Sequence, residues 1–507
     1  MPLAEQETNK YKRMAQNAGM LYFRMLLTMA VTLYTSRVVL QTLGVDDFGI
    51  YSVVAGFVTM LGFMHGAMSS ATQRFIAFEL GKTDVKDVKG IFSMSMNIHI
   101  LIAFFVLLLG ETIGLWFVQN KMTISTDRME AAVWVFHISL LSFMVTIISV
   151  PYNALIIAHE RMSVFAWVSI IDVTLKLLIV FMLGLLGMDK LVLYGLLSLV
   201  VVFIVFIIYR GYCTVKFPEA GFQLYWDQKL FRVMLSYTGW NLWGNIAAVM
   251  SGQGVNVMLN IFFGPTVNAA RAIAMQISAA LNSFVQNIQV AVNPQIYKSY
   301  AAQDMHYMHR LVCYGAKYNF FVLLLLSLPV LNNTELILSV WLGNVPKGTA
   351  FFTKLIICTI LIDSLSPSLM TAAQATGRIK LYQFVVGGIL LLNVPVSYIV
   401  LIMGGAPHTV FYVAIGLSII ALLARVYLIS FLIKMKKRKY IINSIVPVLS
   451  VAFLVFFINS FINIKYLSVF LGFLVSVFIS GFLVLISVLL VGLKKNERAA
   501  VFKVIFK

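Results

Sequence analysis

Apolar and polar positions alternate along this chain in long blocks. About fourteen apolar runs, each long enough to cross a bilayer, are separated by short polar segments. They lie near 17–40, 48–78, 91–118, 130–157, 163–186, 191–209, 231–262, 266–297, 310–331, 351–373, 379–403, 408–433, 441–462 and 467–492. The eighth is unusual because one side of it is polar throughout. Asn268, Arg271, Ser278, Asn282, Gln286, Gln289 and Asn293 recur at helical spacing and fall within a sector of about 80°. The other faces are Ala, Ile, Met, Leu, Phe and Val. At about 1.5 Å per residue this helix covers roughly 37 Å, so it predicts a spanning element. Hydrocarbon cannot solvate amides and a guanidinium, so the polar face must line protein or a wet cavity. The first span repeats the pattern more sparsely, with Asn17, Arg24, Thr28, Thr35 and Thr42 within about 40° of one another.

Composition supports the same class. Hydrophobic residues make up 61% and charged residues 11%, well below the roughly 25% charged of soluble domains. Cys213, Cys313 and Cys358 lie far apart, which argues against a disulfide framework or a cysteine metal site. The apolar run after Lys10, Lys12 and Arg13 is too long for a signal-peptide core and is expected to be an uncleaved first span. With the N-terminus placed in the cytoplasm, 27 of the 38 Lys and Arg fall on cytoplasmic segments, Lys317 among them, and six on external loops. That bias predicts an even number of spans, both termini in the cytoplasm, and a net charge of +19 that reflects topology and attraction to anionic membrane lipids. Nucleic-acid binding is not needed to explain it.

The chain also repeats itself. A shift of 220 residues sets Gly44 on Gly264, Tyr51 on Arg271, Gly62 on Asn282, Gly66 on Gln286, Ser69 on Gln289, Gln73 on Asn293 and Asp84 on Asp304. A shift of 217 sets the segment Ala158–Arg161 on Ala375–Arg378. Two six-span halves of even parity imply parallel repeats. The expected organisation is an N-terminal half (1–210), a polar linker (211–230), a C-terminal half (231–434), and an appended helix pair with a basic tail (435–507). The expected fold class is thus an all-α polytopic membrane protein of about 14 transmembrane helices, two six-helix parallel repeats plus two C-terminal helices.

Leu43-Gly-Val-Asp-Asp-Phe-Gly-Ile-Tyr51 resembles the LG-x-x-x-(Y/F)-G-(I/L)-Y signature of polysaccharide-transport flippases. This is the Wzx-like branch of the multidrug/oligosaccharidyl-lipid/polysaccharide exporter superfamily. Phe262–Ala274 and Ile337–Gly343 are similar to that branch as well. The resemblance implies a V-shaped bundle in the bacterial inner membrane. It also implies a polyprenyl-diphosphate-linked oligosaccharide as substrate (an O-antigen, capsule or exopolysaccharide unit), translocated by alternating access. Other membrane proteins of polysaccharide assembly are candidate partners.

The residues point to an anionic, polar headgroup independently. A guanidinium matches phosphate bidentately and keeps its charge, which suits Arg24 and Arg271 to a diphosphate. Thr28, Asn245, Asn282, Gln286 and Gln289 can bond sugar hydroxyls. Asp363, Asp172 and Lys176 are candidates for coupling to H+ or Na+; Asp172 and Lys176 could equally neutralise each other across one helical turn. Arg425 lies nearer the cytoplasmic end of its span, and Arg37 points away from the first span's polar stripe. Glu111, His65, His99 and His137 are weaker candidates for protonation. Asp46 and Asp47 are placed to cap the second span, and Trp116, Trp134 and Trp341 to anchor external interfaces. No cofactor is expected. Catalysis lacks its signatures: GxxxxGK[ST], HExxH and GxSxG are absent, and the longest external loop is too short for a glycan ligase or polymerase. A cation-coupled multidrug antiporter of the same superfamily is the alternative, for which carboxylates should dominate the cavity.

Overall fold

A computed structural model describes residues 19–32, 34–35, 38–39, 42–44, 47, 50–51, 54–55, 58, 62–82, 87–121, 124–183, 187–221, 223, 225–263, 265–342, 345–461, 469–494 and 497–499. Asn17, Arg37, Asp46, Asp84 and the N-terminal basic cluster lie outside them. The described residues are helical throughout, with no strand among them. In chain order the helices are α1 (Gly19–Thr32), α2 (Gly62–Leu80), α3 (Val88–Leu109), α4 (Leu115–Lys121), α5 (Met129–Ala158), α6 (Met162–Met182), α7 (Lys190–Lys216), α8 (Gln228–Phe263) and α9 (Pro265–Ala301). There follow α10 (Met305–Asn332), α11 (Thr334–Leu342), α12 (Thr349–Asp363), α13 (Pro367–Thr376), α14 (Lys380–Leu391), α15 (Asn393–Ile402) and α16 (Thr409–Leu432). The last are α17 (Lys437–Tyr440), α18 (Val446–Asn459) and α19 (Val469–Ser487). Eleven of the described segments are long and apolar enough to cross a membrane, making this a multi-pass membrane protein. The predicted spans outside those eleven are the first, second and eighth, the three with polar or small-residue faces. The chain forms two compact units, Arg13–Asn245 and one built mainly from Ile246–Lys507, and passes from one to the other within α8.

In the first unit α5 packs against α2, α3 and α7. Phe136, Leu140 and Ile147 of α5 are fully enclosed with Val54, Val58, Met68 and Val106. Gly195 lets α7 lie close, since a Cβ there would already touch Ile138 and Val135 at 3.7 Å. Between α3 and α4 the helix widens into a π-turn, Gly110–Gly114, which sets Glu111 2.9 Å from His137 Nδ1. The loops at this end are tied by one guanidinium. Arg128 donates from Nε to Asp47 Oδ1 (2.8 Å), from Nη2 to Asp47 Oδ2 (2.5 Å), and from Nη1 to Asp189 Oδ2 (2.5 Å). Asp47 therefore pairs across the unit, beyond the local capping its sequence position suggests. Asp189 in turn accepts from the Leu191 and Val192 amides and caps α7.

In the second unit α10 is the most enclosed span. It packs against α9, α12, α13 and α19, and a Cβ on Gly315 would overlap Ser368 of α13. The tenth predicted span is broken into α12 and α13 at Ser364–Ser366. Pro367 has no amide hydrogen to continue the ladder, although Ser366 before it keeps right-handed helical backbone (φ −91°, ψ −31°). The carbonyls released there find side-chain donors, Asn319 on Ser364 O (3.4 Å) and Tyr440 on Leu365 O (2.9 Å).

The last two spans, α17–α18 and α19, are fastened to α10 at both ends. Asn332 bonds Asn459 and Ser480, Asn333 bonds Ser476, and Ser444 donates to Cys313 O. Ser444, Asn459, Ser476 and Ser480 form no stripe in sequence, yet each of the four answers a polar group at α10 or its C-terminal end. Lys317, expected on the cytoplasmic side, is not left to solvent. It is fully buried on α10, and its Nζ lies 2.6 Å from Glu497 Oε2, with the Tyr314 and Tyr318 rings 5.5 Å away. Glu497 also accepts from the Lys494 amide, while Arg498 holds the Leu493 carbonyl at the end of the last helix.

The internal repeat is visible in backbone detail. Asp87 and Asp304, 217 residues apart in the sequence, both cap their helices, accepting from Gly90 N and Tyr307 N. Glu160 (φ 59°) and Gly377 (φ 73°), at the same offset, both end a helix in the left-handed region.

Two outcomes follow for stability. Glu497→Ala leaves a buried unpaired ammonium, so it should destabilise the solubilised protein by about 3–5 kcal/mol, whereas Lys317→Met with Glu497→Leu should recover most of that loss. Thermal unfolding of the three variants checks it; a Glu497→Ala protein as stable as wild type would refute the pairing.

The second outcome concerns Asp189. Burial pushes its carboxyl up, but the Arg128 guanidinium and the Val192 and Leu191 amides outweigh burial and hold it below its ordinary value. A depressed carboxyl stabilises the fold above its unfolded pKa of about 3.9 and stops doing so as pH falls through the folded value. Asp189→Asn should therefore lower the unfolding temperature above about pH 5, and the gap from wild type should close on acidification below about pH 4. A gap that stays constant down to pH 3 would contradict this.

Candidate functional site

The polar residues of the first unit form a ladder between α1, α6 and α7. Arg24 donates to Ser169 Oγ (3.4 Å) and stacks 4.7 Å over the Phe165 ring, both on α6. Tyr209 of α7 bonds Ser169 and lies near both Arg24 and Asp172. Asp172 takes Lys176 at 2.8 Å. Ser169, Asp172 and Lys176 are spaced three and four apart, so α6 places all three on one face. Thr28 donates to its own helix at Met25 O (3.0 Å). Asn245 sits against α2, where a Cβ on Gly66 would lie 3.8 Å from its Nδ2.

Lys176 also lines a cavity of about 420 Å³ inside this unit, within the roughly 300–1,000 Å³ usual for small-molecule sites. Tyr51, Tyr194 and Phe143 supply rings to its wall, and His65, Ser139 and Ser142 supply polar atoms. Tyr51 and Tyr194 meet edge to face at 4.7 Å. His65 and Lys176 carry sequence signals, whereas the hydroxyls around them are single residues in apolar helices and give none.

In the second unit Arg271 is held against α8. Its Nη1 donates to Asn256 Oδ1 (3.3 Å) and its Nη2 to Gly252 O (3.1 Å), while Nε is buried without a partner. No described carboxylate lies within ion-pair distance of it. Further along α9 the polar face divides. Asn282 donates to Ser278 (3.4 Å) and Gln286 is exposed. Gln289 instead is buried on Ser368 (3.3 Å), Asn293 accepts from Thr371 (2.8 Å), and Tyr297 donates to Gln374 (2.8 Å), all on α13. One end of the stripe thus joins helices, and the other, from Arg271 to Gln286, stays partly open. Asp363 accepts from Ser418 and lies beside Arg425, which donates to Ser366 (3.1 Å) at the helix break. Asp172 thus has an ion-pair partner within its own unit, whereas Asp363 has Arg425 nearby but outside ion-pair contact.

No family model matches the chain, and no curated protein matches it either. Solved structures do. An outward-facing multidrug resistance MATE transporter of the MOP superfamily superposes with a TM-score of 0.73 at 11% identity, over 83% of this chain and 96% of that one. The chain has a MATE-like fold. A MATE structure in its straight conformation gives 0.71 at 13% identity over 84% and 97%. A MOP superfamily transporter from Pyrococcus furiosus, described as having a binding pocket of reverse polarity that suggests a different function, gives 0.68 at 12% over 83% and 96%. Fold alone does not carry a substrate.

Proposed function

We propose that the protein is a membrane transporter of the bacterial inner membrane, with both termini in the cytoplasm, that translocates a polyprenyl-diphosphate-linked oligosaccharide by alternating access. The fold it shares with solved transporters supports the transport part of this reading. The observation that carries the cargo is Arg271. A guanidinium inside a spanning segment is a functional group by default. Here its partners are an amide oxygen and a main-chain carbonyl, with no described carboxylate in range. Its charge is held in place yet not neutralised, which is the state a diphosphate requires of its receptor. The exposed Gln286 and half-buried Asn282 on the same helix face add groups able to bond sugar hydroxyls. No covalent step is needed.

A second reading, a cation-coupled multidrug antiporter, is favoured by the solved structures named as multidrug MATE transporters. It calls for unneutralised carboxylates. Asp172 is instead ion-paired with Lys176 at 2.8 Å, while Asp363 has Arg425 near it without an ion-pair contact and so fits this second reading better than Asp172 does. The Pyrococcus transporter, described by its reverse pocket polarity, supports cargo being set by polarity within one fold.

Deletion of the gene, followed by complementation, separates the two readings. The flippase reading expects loss of surface glycan, accumulation of its lipid-linked precursor on the cytoplasmic leaflet, and unchanged drug tolerance. Arg271→Ala should abolish export by removing roughly 2–5 kcal/mol of charge pairing, and Arg271→Lys should restore it only partly because the bidentate fork is missing. Normal export by Arg271→Ala at wild-type abundance would remove the cationic mechanism. A deletion phenotype confined to drug sensitivity would establish the antiporter.

A further inference from the structure

We propose that the cavity inside the first unit is a sugar-binding subsite, taking one or two hexose-sized rings of the lipid-linked cargo. The proposal rests on the transporter reading above and adds where the glycan is held. Three features of the wall carry it.

The first is unpartnered polarity. The Tyr194 hydroxyl, the Ser139 hydroxyl and the ring nitrogens of His65 line the cavity and have no hydrogen-bond partner among the described residues. These groups are part-buried and accessible from the cavity, so several converging on one enclosed space are open to water or a hydroxylated ligand as their partner. Ser142 and Thr146 donate to their own helix at Ile138 O and Ser142 O. Their oxygens therefore face the cavity side as acceptors for a ligand hydroxyl.

Aromatic surface is the second. A sugar ring presents C–H groups on its faces and hydroxyls around its edge. Rings from Tyr51, Tyr194 and Phe143 beside a rim of hydroxyls offer both kinds of surface, with about 420 Å³ of space between them.

Charge is the third feature, and it selects between cargoes. Lys176 lines the cavity, while Asp172, its partner at 2.8 Å, is absent from the wall. An organic cation would meet an ammonium and no free carboxylate, whereas a neutral or acidic sugar meets donors. The cavity therefore suits the glycan and opposes a cationic drug.

The full chain in lipid nanodiscs would be titrated with undecaprenyl diphosphate and with the same carrier bearing glucose, N-acetylglucosamine or glucuronic acid. At least one sugar-bearing lipid should bind about tenfold more tightly than the bare carrier, which is the size of effect expected when ligand hydroxyls meet otherwise unpaired groups. Ser142→Phe fills the cavity and should bring that ratio to about one. Where Ser142→Phe does not elute as a folded species, Tyr194→Phe removes one hydroxyl without changing the wall's shape and should cut the ratio several-fold. A wild-type ratio of one for all three sugars overturns the subsite while the carrier still binds and the transporter reading stands. A ratio unchanged in the folded variants overturns it too. Binding of neither carrier nor conjugate overturns the cargo reading itself, and ethidium binding abolished by Ser142→Phe would make the cavity a drug site.

Discussion

Hydrocarbon offers no hydrogen bond, and nearly every notable contact in this protein answers that fact. A soluble protein can leave an asparagine or lysine to water, but a helix in a bilayer must provide its polar groups with partners from other helices. Gln289, Asn293 and Tyr297 bond three residues of α13 in turn, and Lys317 is enclosed with Glu497. Even the broken tenth span keeps its carbonyls bonded, through Asn319 and Tyr440. These links fix which helices touch. Apolar faces cannot do so alone, because lipid tails are as good a neighbour for leucine as another leucine is.

Against that background the groups left incompletely paired become informative. Arg271 receives two neutral acceptors and keeps an unpartnered Nε. The cavity of the first unit gathers hydroxyls and a histidine that no described residue bonds. In a membrane such vacancies are expensive, so they persist where something else supplies the missing partner. The charge pair at Asp172 shows the opposite arrangement, its carboxylate already beside Lys176.

Much of this was legible in one dimension. Period and length are local properties, so the helical spans and the polar face of α9 followed from residue spacing. The repeat was legible too, although the structure shows its offset through the caps at Asp87 and Asp304 and the left-handed residues Glu160 and Gly377. The break before Pro367 had a local signal in Ser366-Pro367. What spacing cannot reveal is the identity of a partner far away in the chain. The counterion of Lys317 lies 180 residues later in the chain, so charge counting could not reveal that it is paired. Asp47 looked like a helix cap because its neighbours along the chain allow that role, while Arg128 lies 81 residues on. Ser169 and Tyr209 give no signal until α6 and α7 are packed.

The two halves show how a repeated backbone can carry different chemistry. Helix caps and left-handed terminations recur at one offset because they answer to backbone geometry, which both copies must satisfy in the same way. Side chains on the corresponding faces have diverged. At the offset the caps show, α9 bears Asn282, Gln286 and Gln289 where α2 bears His65, Ser69 and Thr72. Long amides reach neighbouring helices and join them, as Gln289 does at Ser368. One unit holds a polar seam along α9 and α13, and the other holds a cavity lined by His65 of α2 together with hydroxyls from α5 and α7.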